Sequence, residues 1–162
     1  MNLRDYTYKI QNVLTDEELL RLLYYSPKNI LDNPLDQTKP NILTKPDKEK
    51  WAIINDCIVS ALKTDDFKTD PKSRLIFYAA NGHGGSNYLF SNQQYHFDIF
   101  THFTIENTDK RLEWICDRIN DLLFNQRIAG IGKVKFIQRH PLNAPNEYVA
   151  YRLVYEFCQE NY

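Results

Sequence analysis

The chain has 162 residues, with 20 Lys and Arg against 21 Asp and Glu and a formal net charge of −1. Its 43% apolar and 25% charged residues are ordinary globular composition, enough for one domain that buries roughly 68–70% of its unfolded surface. The even charge balance argues against a protein that works by neutralising nucleic-acid phosphates, and no apolar run approaches the ~20 residues that span a bilayer.

The opening residues 1–14 carry no signal-peptide core. Three widely spaced cysteines, Cys57, Cys116 and Cys158, have neither metal-binding spacing nor an even disulfide count. The expectation is a single domain, 1–162, kept in a reducing compartment, with no membrane partner and no sequence-specific nucleic-acid binding.

In chain order, Thr15-Asp16-Glu17-Glu18 matches a capping box, in which Thr15 and Glu18 satisfy each other's backbone groups. Leu19, Leu20, Leu22 and Leu23 follow, so a helix is predicted over about 16–25, stopped by Ser26-Pro27. Residues 27–46 hold four prolines among polar residues and read as an extended connector that could let the first helix move as an arm. Pro46-Asp47 opens a second helix, with Trp51, Ile54, Ile58 and Leu62 as its apolar stripe, Ile53, Cys57 and Ala61 widening it, and an end near residues 63–66.

The period then changes. Arg74-Leu75-Ile76-Phe77-Tyr78 reads as a strand. Residues 80–92, with Gly82, Gly84 and Gly85, read as a long flexible loop. Tyr95, Phe97, Ile99, Phe103 and Ile105 alternate with Gln94, His96, Asp98, His102 and Thr104, which predicts a half-buried strand with a polar outer face. Leu112, Ile115, Cys116, Ile119, Leu122 and Leu123 give the clearest helix, over 109–125, capped by Thr108 or Asp109. Strands around Val134, Phe136 and Ile137, and across 149–157, close the chain. The fold class is therefore α+β, a four-stranded, mostly antiparallel sheet with helices packed on one face, plus N-terminal helices. Residues 1–71 form the helical N-terminal part and 72–157 the sheet-helix core.

Several residues invite a chemical reading. His96 and Asp98 share a strand face, and His102 follows on it; with His140 as a distal ligand and Arg152 beyond, they sketch an iron/2-oxoglutarate oxygenase. That chemistry needs about eight strands in a double sheet, and the pattern gives about four. The same residues read more simply as a solvated sheet face, dispensable for folding. Gly82-His83-Gly84-Gly85-Ser86 is similar to the oxyanion loop of esterases, but no Gly-x-Ser-x-Gly elbow accompanies it. Cys57 and Cys116 fall on apolar helix faces and read as buried hydrophobes. Among the 11 Tyr, 9 Phe and 2 Trp, the residues Tyr24, Tyr25, Tyr88 and Phe90 lie outside the strand cores and are candidates for an interface.

The order of these elements carries a resemblance. A strand at 74–78 enters a Gly/Asn-rich loop, Gln94-Tyr95-His96-Phe97-Asp98-Ile99-Phe100 follows, then the helix at Arg111-Leu112-Glu113-Trp114-Ile115-Cys116, then a closing hairpin. Over about residues 72–157 this resembles the tail terminator (tail completion) proteins of tailed bacteriophages. The resemblance implies a non-enzymatic structural protein of the virion, assembled in the host cytoplasm. It further implies a homo-oligomeric ring, usually a hexamer, that caps the tail tube and joins it to the head-tail connector, with no cofactor and no catalytic or metal-binding residue. The loop residues Gly82, His83, Gly84, Gly85, Ser86, Asn87, Tyr88, Leu89 and Phe90 are then the expected interface, because its length exceeds what a turn needs.

Overall fold

A computed structural model describes residues 2–67 and 71–160. The chain opens with three helices, α1 (Leu3–Leu14), α2 (Glu17–Tyr24) and α3 (Asp47–Cys57), then a short strand β1 (Ile58–Val59). A long hairpin follows, β2 (Ser73–Gly84) and β3 (Phe90–His102), then helices α4 (Phe103–Asp109) and α5 (Arg111–Leu123), and a final hairpin, β4 (Lys135–Leu142) and β5 (Tyr148–Glu160).

The sheet has five strands among the described residues, in the order β1-β2-β3-β5-β4. The expected four are β2 to β5, and the three pairings among them are all antiparallel. The fifth, β1, adds two residues parallel to β2, with Ile58 opposite Leu75, so the sheet is mixed. It forms where the sequence suggested continuing helix. The β-branched pair Ile58-Val59 leaves the helix at Cys57 and joins the sheet edge. The proposed stripe fails accordingly: α3 buries Ile53, Ile54 and Cys57, while Trp51 is 48% and Leu62 67% exposed.

Two further helices were not foreseen. In α1, Asn2 accepts a hydrogen bond from the Asp5 backbone N–H, and Tyr6, Ile10 and Leu14 form a buried stripe at steps of four. The second is α4, where an alternating strand was expected through Ile105. His102 ends β3 and caps α4, with its Nδ1 accepting from the Thr104 backbone N–H at 3.2 Å. Lys110 then takes φ +56°, which breaks α4 from α5 and leaves the second helix without a side-chain cap. Asp109 engages Arg111 instead, at 2.6 Å.

The two predicted amphipathic helices form as read. Leu19, Leu20, Leu22 and Leu23 of α2 are buried, as are Leu112, Ile115, Cys116, Ile119 and Leu123 of α5. The cap of α2 is Asp16, one residue past Thr15, with its carboxylate accepting from the Leu19 N–H at 3.0 Å. The Pro-rich segment does not free this helix as an arm. Glu17 accepts the Ile42 and Leu43 N–H groups, and Arg21 donates to the Asp36 and Lys39 carbonyls.

The helices pack their apolar stripes against one face of the sheet, on Leu75, Phe77, Tyr95, Phe97, Ile99, Leu153, Tyr155 and Phe157. Each fully buried aliphatic contributes about 1.5–3 kcal/mol by transfer from water. The opposite face carries a smaller cluster, in which Phe67 covers Ile76, Phe100, Tyr148 and Ala150 at one end.

Candidate functional site

Two places in this frame gather the residues singled out by the sequence. The first is the β2–β3 hairpin. The long loop expected over 80–92 is mostly paired strand, since Gly82 faces Gln93, His83 faces Asn92 and Gly84 faces Ser91. Only residues 85–89 connect the strands. Between the Ala79–Tyr95 and Gly82–Gln93 pairs, β2 spends three steps against two on β3, which is a β-bulge. Gln93 holds it by donating from Nε2 to the Ala80 carbonyl at 3.0 Å. A Cβ at Gly82 would sit 2.8 Å from the Gln93 Oε1, so any larger residue here would have to displace the end of that side chain.

The bulge changes which face the following side chains meet. It turns His83 to the face away from the helices, where its Nε2 lies 3.2 Å from Glu156 Oε2. This pins the hairpin to β5 across the intervening β3. At the tip, Asn87 makes the turn, with its side chain accepting from the Leu89 N–H and its carbonyl from the Phe90 N–H. The turn leaves Tyr88 85% exposed and Leu89 42% exposed, while Phe90 is half-buried at the start of β3. Of the other aromatic candidates, Tyr25 donates to the Pro40 carbonyl at 2.6 Å and packs edge-on against Tyr24.

The second place is the sheet face without helices. Here the reading of His96, Asp98 and His102 as a solvated row is corrected at its centre. Asp98 is 0% exposed. Arg152 grips it from β5 with two hydrogen bonds, Nε to Oδ1 at 2.7 Å and Nη2 to Oδ2 at 2.8 Å. Tyr78 from β2 adds its hydroxyl, 3.1 Å from Asp98 Oδ2, and accepts from Arg152 Nη2 at 2.8 Å. The Asp98 bonds raise the Arg152 pKa, and burial raises that of Tyr78. His96 packs edge-on against Tyr78 at 5.6 Å, and burial, followed by the charge of Arg152, pushes its pKa down. His140 of β4 lies directly opposite Arg152. Sequence reasoning marked these residues but assigned Arg152 no partner. The matching parity of β3 and β5 was the signal, and it needed the strand order to be used.

This geometry does not fit the iron-oxygenase sketch. Both carboxylate oxygens of Asp98 are engaged by Arg152 and Tyr78, so the carboxylate has no arm to offer a metal. His102 belongs to the α4 cap and lies 3.4 Å from Glu147. No group of three or more His, Cys, Asp or Glu among the described residues is arranged to hold a metal ion. Cys57 and Cys116 are buried, and burial pushes both thiols up to about 12, which suits core packing rather than nucleophilic attack.

Two other features were missed by the sequence. Glu106 of α4 accepts from the Leu112 N–H at 2.7 Å and shares a hydrogen bond with Glu113; burial first, then this neighbour, pushes its pKa up to about 7. A groove of about 520 Å³ lies between α5 and the β4–β5 hairpin, lined by Cys116, Asn120, Phe124, Phe136, Arg139 and Tyr155. No helix among the described residues is long and apolar enough to cross a membrane.

The YomW family model matches residues 16–157. The chain is also 30% identical over 167 aligned residues to the SPbeta prophage-derived uncharacterized protein YomW of Bacillus subtilis (strain 168), covering 97% of this chain and 96% of that protein. The chain belongs to the YomW family.

Proposed function

We propose that this member of the YomW family is a phage structural protein of the head-to-tail joint. In this reading it is a tail terminator that assembles with copies of itself into a ring, caps the tail tube and meets the connector in the virion, without catalysis or a cofactor. The prophage origin of the relative in Bacillus subtilis supports the phage setting. The observation that carries the structural role is the β2–β3 hairpin, which presents Tyr88 and Leu89 at its exposed tip. An exposed aromatic anchor on a short turn suits a protein interface.

The fold also offers a concave counterpart, the groove beside α5 and β4. A protruding patch and a groove at different places on one chain make a head-to-tail contact, and such contacts close into rings when the rotation allows. The near-neutral net charge lets copies approach without strong repulsion.

The test is the native mass of the purified protein, alone and with tail-tube protein. A ring, hexameric by the resemblance, is expected to form by itself or on the tube. A chain that stays monomeric under both conditions overturns the reading. Labelling the protein in intact particles separates a tail terminator from another neck or connector protein.

A further inference from the structure

We propose that the joint between α4 and α5 is a proton-operated latch, closed while Glu106 and Glu113 share a proton and open once that proton leaves. This stands on the geometry of the joint and does not depend on the ring reading.

The two helices meet at one residue. Lys110 is the C-cap of α4 and the N-cap of α5, and its φ of +56° turns the chain between them. As an N-cap it makes no side-chain hydrogen bond, so the first turn of α5 draws its acceptor from elsewhere. Glu106 supplies it from the preceding helix, where Oε2 accepts from the Leu112 N–H at 2.7 Å. The same carboxyl group shares a hydrogen bond with Glu113, the third residue of α5. Two carboxylates have only acceptors to offer, so this bond exists only while one of them is protonated. A proton therefore joins α4 to α5.

The surroundings do not support a second charge. Glu106 and Glu113 line a cavity of about 410 Å³ shared with the β4–β5 hairpin, and no Lys, Arg or His lines it among the described residues. At the joint, Lys110 favours ionisation of Glu106. From α5 come Glu113, which opposes it, and Cys116, which feels the Glu106 charge. Arg111 is spent on Asp109 and on the Leu22 and Tyr25 carbonyls. Across the cavity β5 presents only the phenols of Tyr148 and Tyr151, and Arg139 of β4 stacks on Tyr151. At the far end of α4, Glu147 and His102 face each other. Burial first, then Glu113, outweigh Lys110 and push the Glu106 pKa up to about 7.

Ionisation then has a structural consequence. Above that pH a half-buried carboxylate faces a second one beside a cavity roomy enough for water. Glu106 gains solvation by leaving the Leu112 N–H and turning to that water, which uncaps α5 and ends its hold on α4. The latch is thus shut in acid and opens as the pH rises through about 7.

The experiment is a pH titration of the full-length protein by amide NMR, from pH 5 to 8.5, with hydrogen exchange measured at each end. Opening is expected to move the Leu112 amide proton upfield, with a midpoint near 7, because it loses its acceptor. Exchange protection, corrected for base catalysis, should fall about fivefold in the first turn of α5 and stay constant in β3 and β5. Glu106→Gln keeps an acceptor for Leu112 and donates to Glu113 without a proton, so it should abolish both changes. Glu113→Gln brings its own donor to Glu106 and should lower the midpoint. A downfield shift of Leu112 would show the carboxylate ionising in place, with a stronger bond, and overturns the latch. So does a midpoint near 4.5, a Glu106→Gln protein that titrates like the wild type, or a loss of protection spread equally over β3 and β5, which is global unfolding.

Discussion

The two faces of this sheet are made by the same strands and behave differently. On one face, Tyr95, Phe97 and Ile99 of β3 meet the helices, and the contacts are almost wholly apolar. On the other, the alternate residues His96 and Asp98 meet Tyr78, His140 and Arg152, and a buried carboxylate is the central feature. A strand alternates its side chains every residue, so one sequence run must serve both environments. The apolar face tolerates no charge because nothing there can pair with it. The polar face contains a charge that is satisfied entirely from within. The comparison teaches that "outward-facing polar residue" and "solvated residue" are different statements, and Asp98 separates them.

The largest expected effect breaks the apolar face. Ile119 is fully buried on α5, so Ile119→Asp strands an unpaired charge in the core and should cost about 3–5 kcal/mol, enough to unfold much of the protein. Urea denaturation measures this, and an unchanged midpoint would remove α5 from its place on the sheet.

The next effect breaks the polar face. Asp98→Ala leaves the Arg152 guanidinium without its partner and should cost about 2–4 kcal/mol, with some relief because Arg152 reaches solvent. Asp98→Leu combined with Arg152→Met should recover at least half of that loss, because it removes both charges together. A double variant no more stable than Asp98→Ala would mean that the pair is not the reason for the cost.

A smaller effect sharpens the comparison at the rim, where Glu106 and Glu113 meet between α4 and α5. The folded state holds the Glu106 pKa above its usual value, at about 7. Folding therefore favours the protonated acid. That contribution is complete below the unfolded pKa of about 4.5 and is lost as pH rises through 7. After allowance for solvent screening, roughly 1 kcal/mol, or about 2–4 °C in Tm, should disappear between pH 5 and 8. Glu106→Gln should flatten this slope in thermal melts, and a slope that survives in the variant would assign it to another group.

The smallest effect on stability belongs to the hairpin tip. Tyr88→Ser touches an exposed group and should change stability by less than about 0.5 kcal/mol. It should nevertheless abolish self-assembly in native mass measurements if the tip is the interface. Normal assembly of the folded variant would move the interface elsewhere.

Much of the fold was legible from local chemistry. The leucines at 19, 20, 22 and 23 and the stripe from Leu112 to Leu123 mark helices because apolar positions repeat at the helical period. The strands β2, β3 and β5 show period two, or a solid apolar run, for the same reason. What escaped has equally physical causes. Helix α1 repeats at strict steps of four among charged residues, so its stripe is thin. Ile58-Val59 continues a helical spacing, yet it becomes an edge strand because pairing with Leu75 and Ile76 is available in space. The glycines at 82 and 84 suggested a loop. Gly82 and Gly84 instead pair with Gln93 and Ser91 in the strand, and the Gln93 amide end lies where a Cβ at position 82 would come.

The candidate site divides along the same line. The sequence by itself determined that His96, Asp98 and Arg152 share the sheet face away from Phe97 and Leu153, because strand parity is a local property. Only the tertiary structure decided that β5 lies beside β3, which sets Arg152 against Asp98 across 54 residues of chain. The same pairing brought β4 alongside and His140 opposite Arg152. Strand order is a choice among global packings, made by the total apolar surface that the helices can bury on one face, and no short stretch of the chain encodes it.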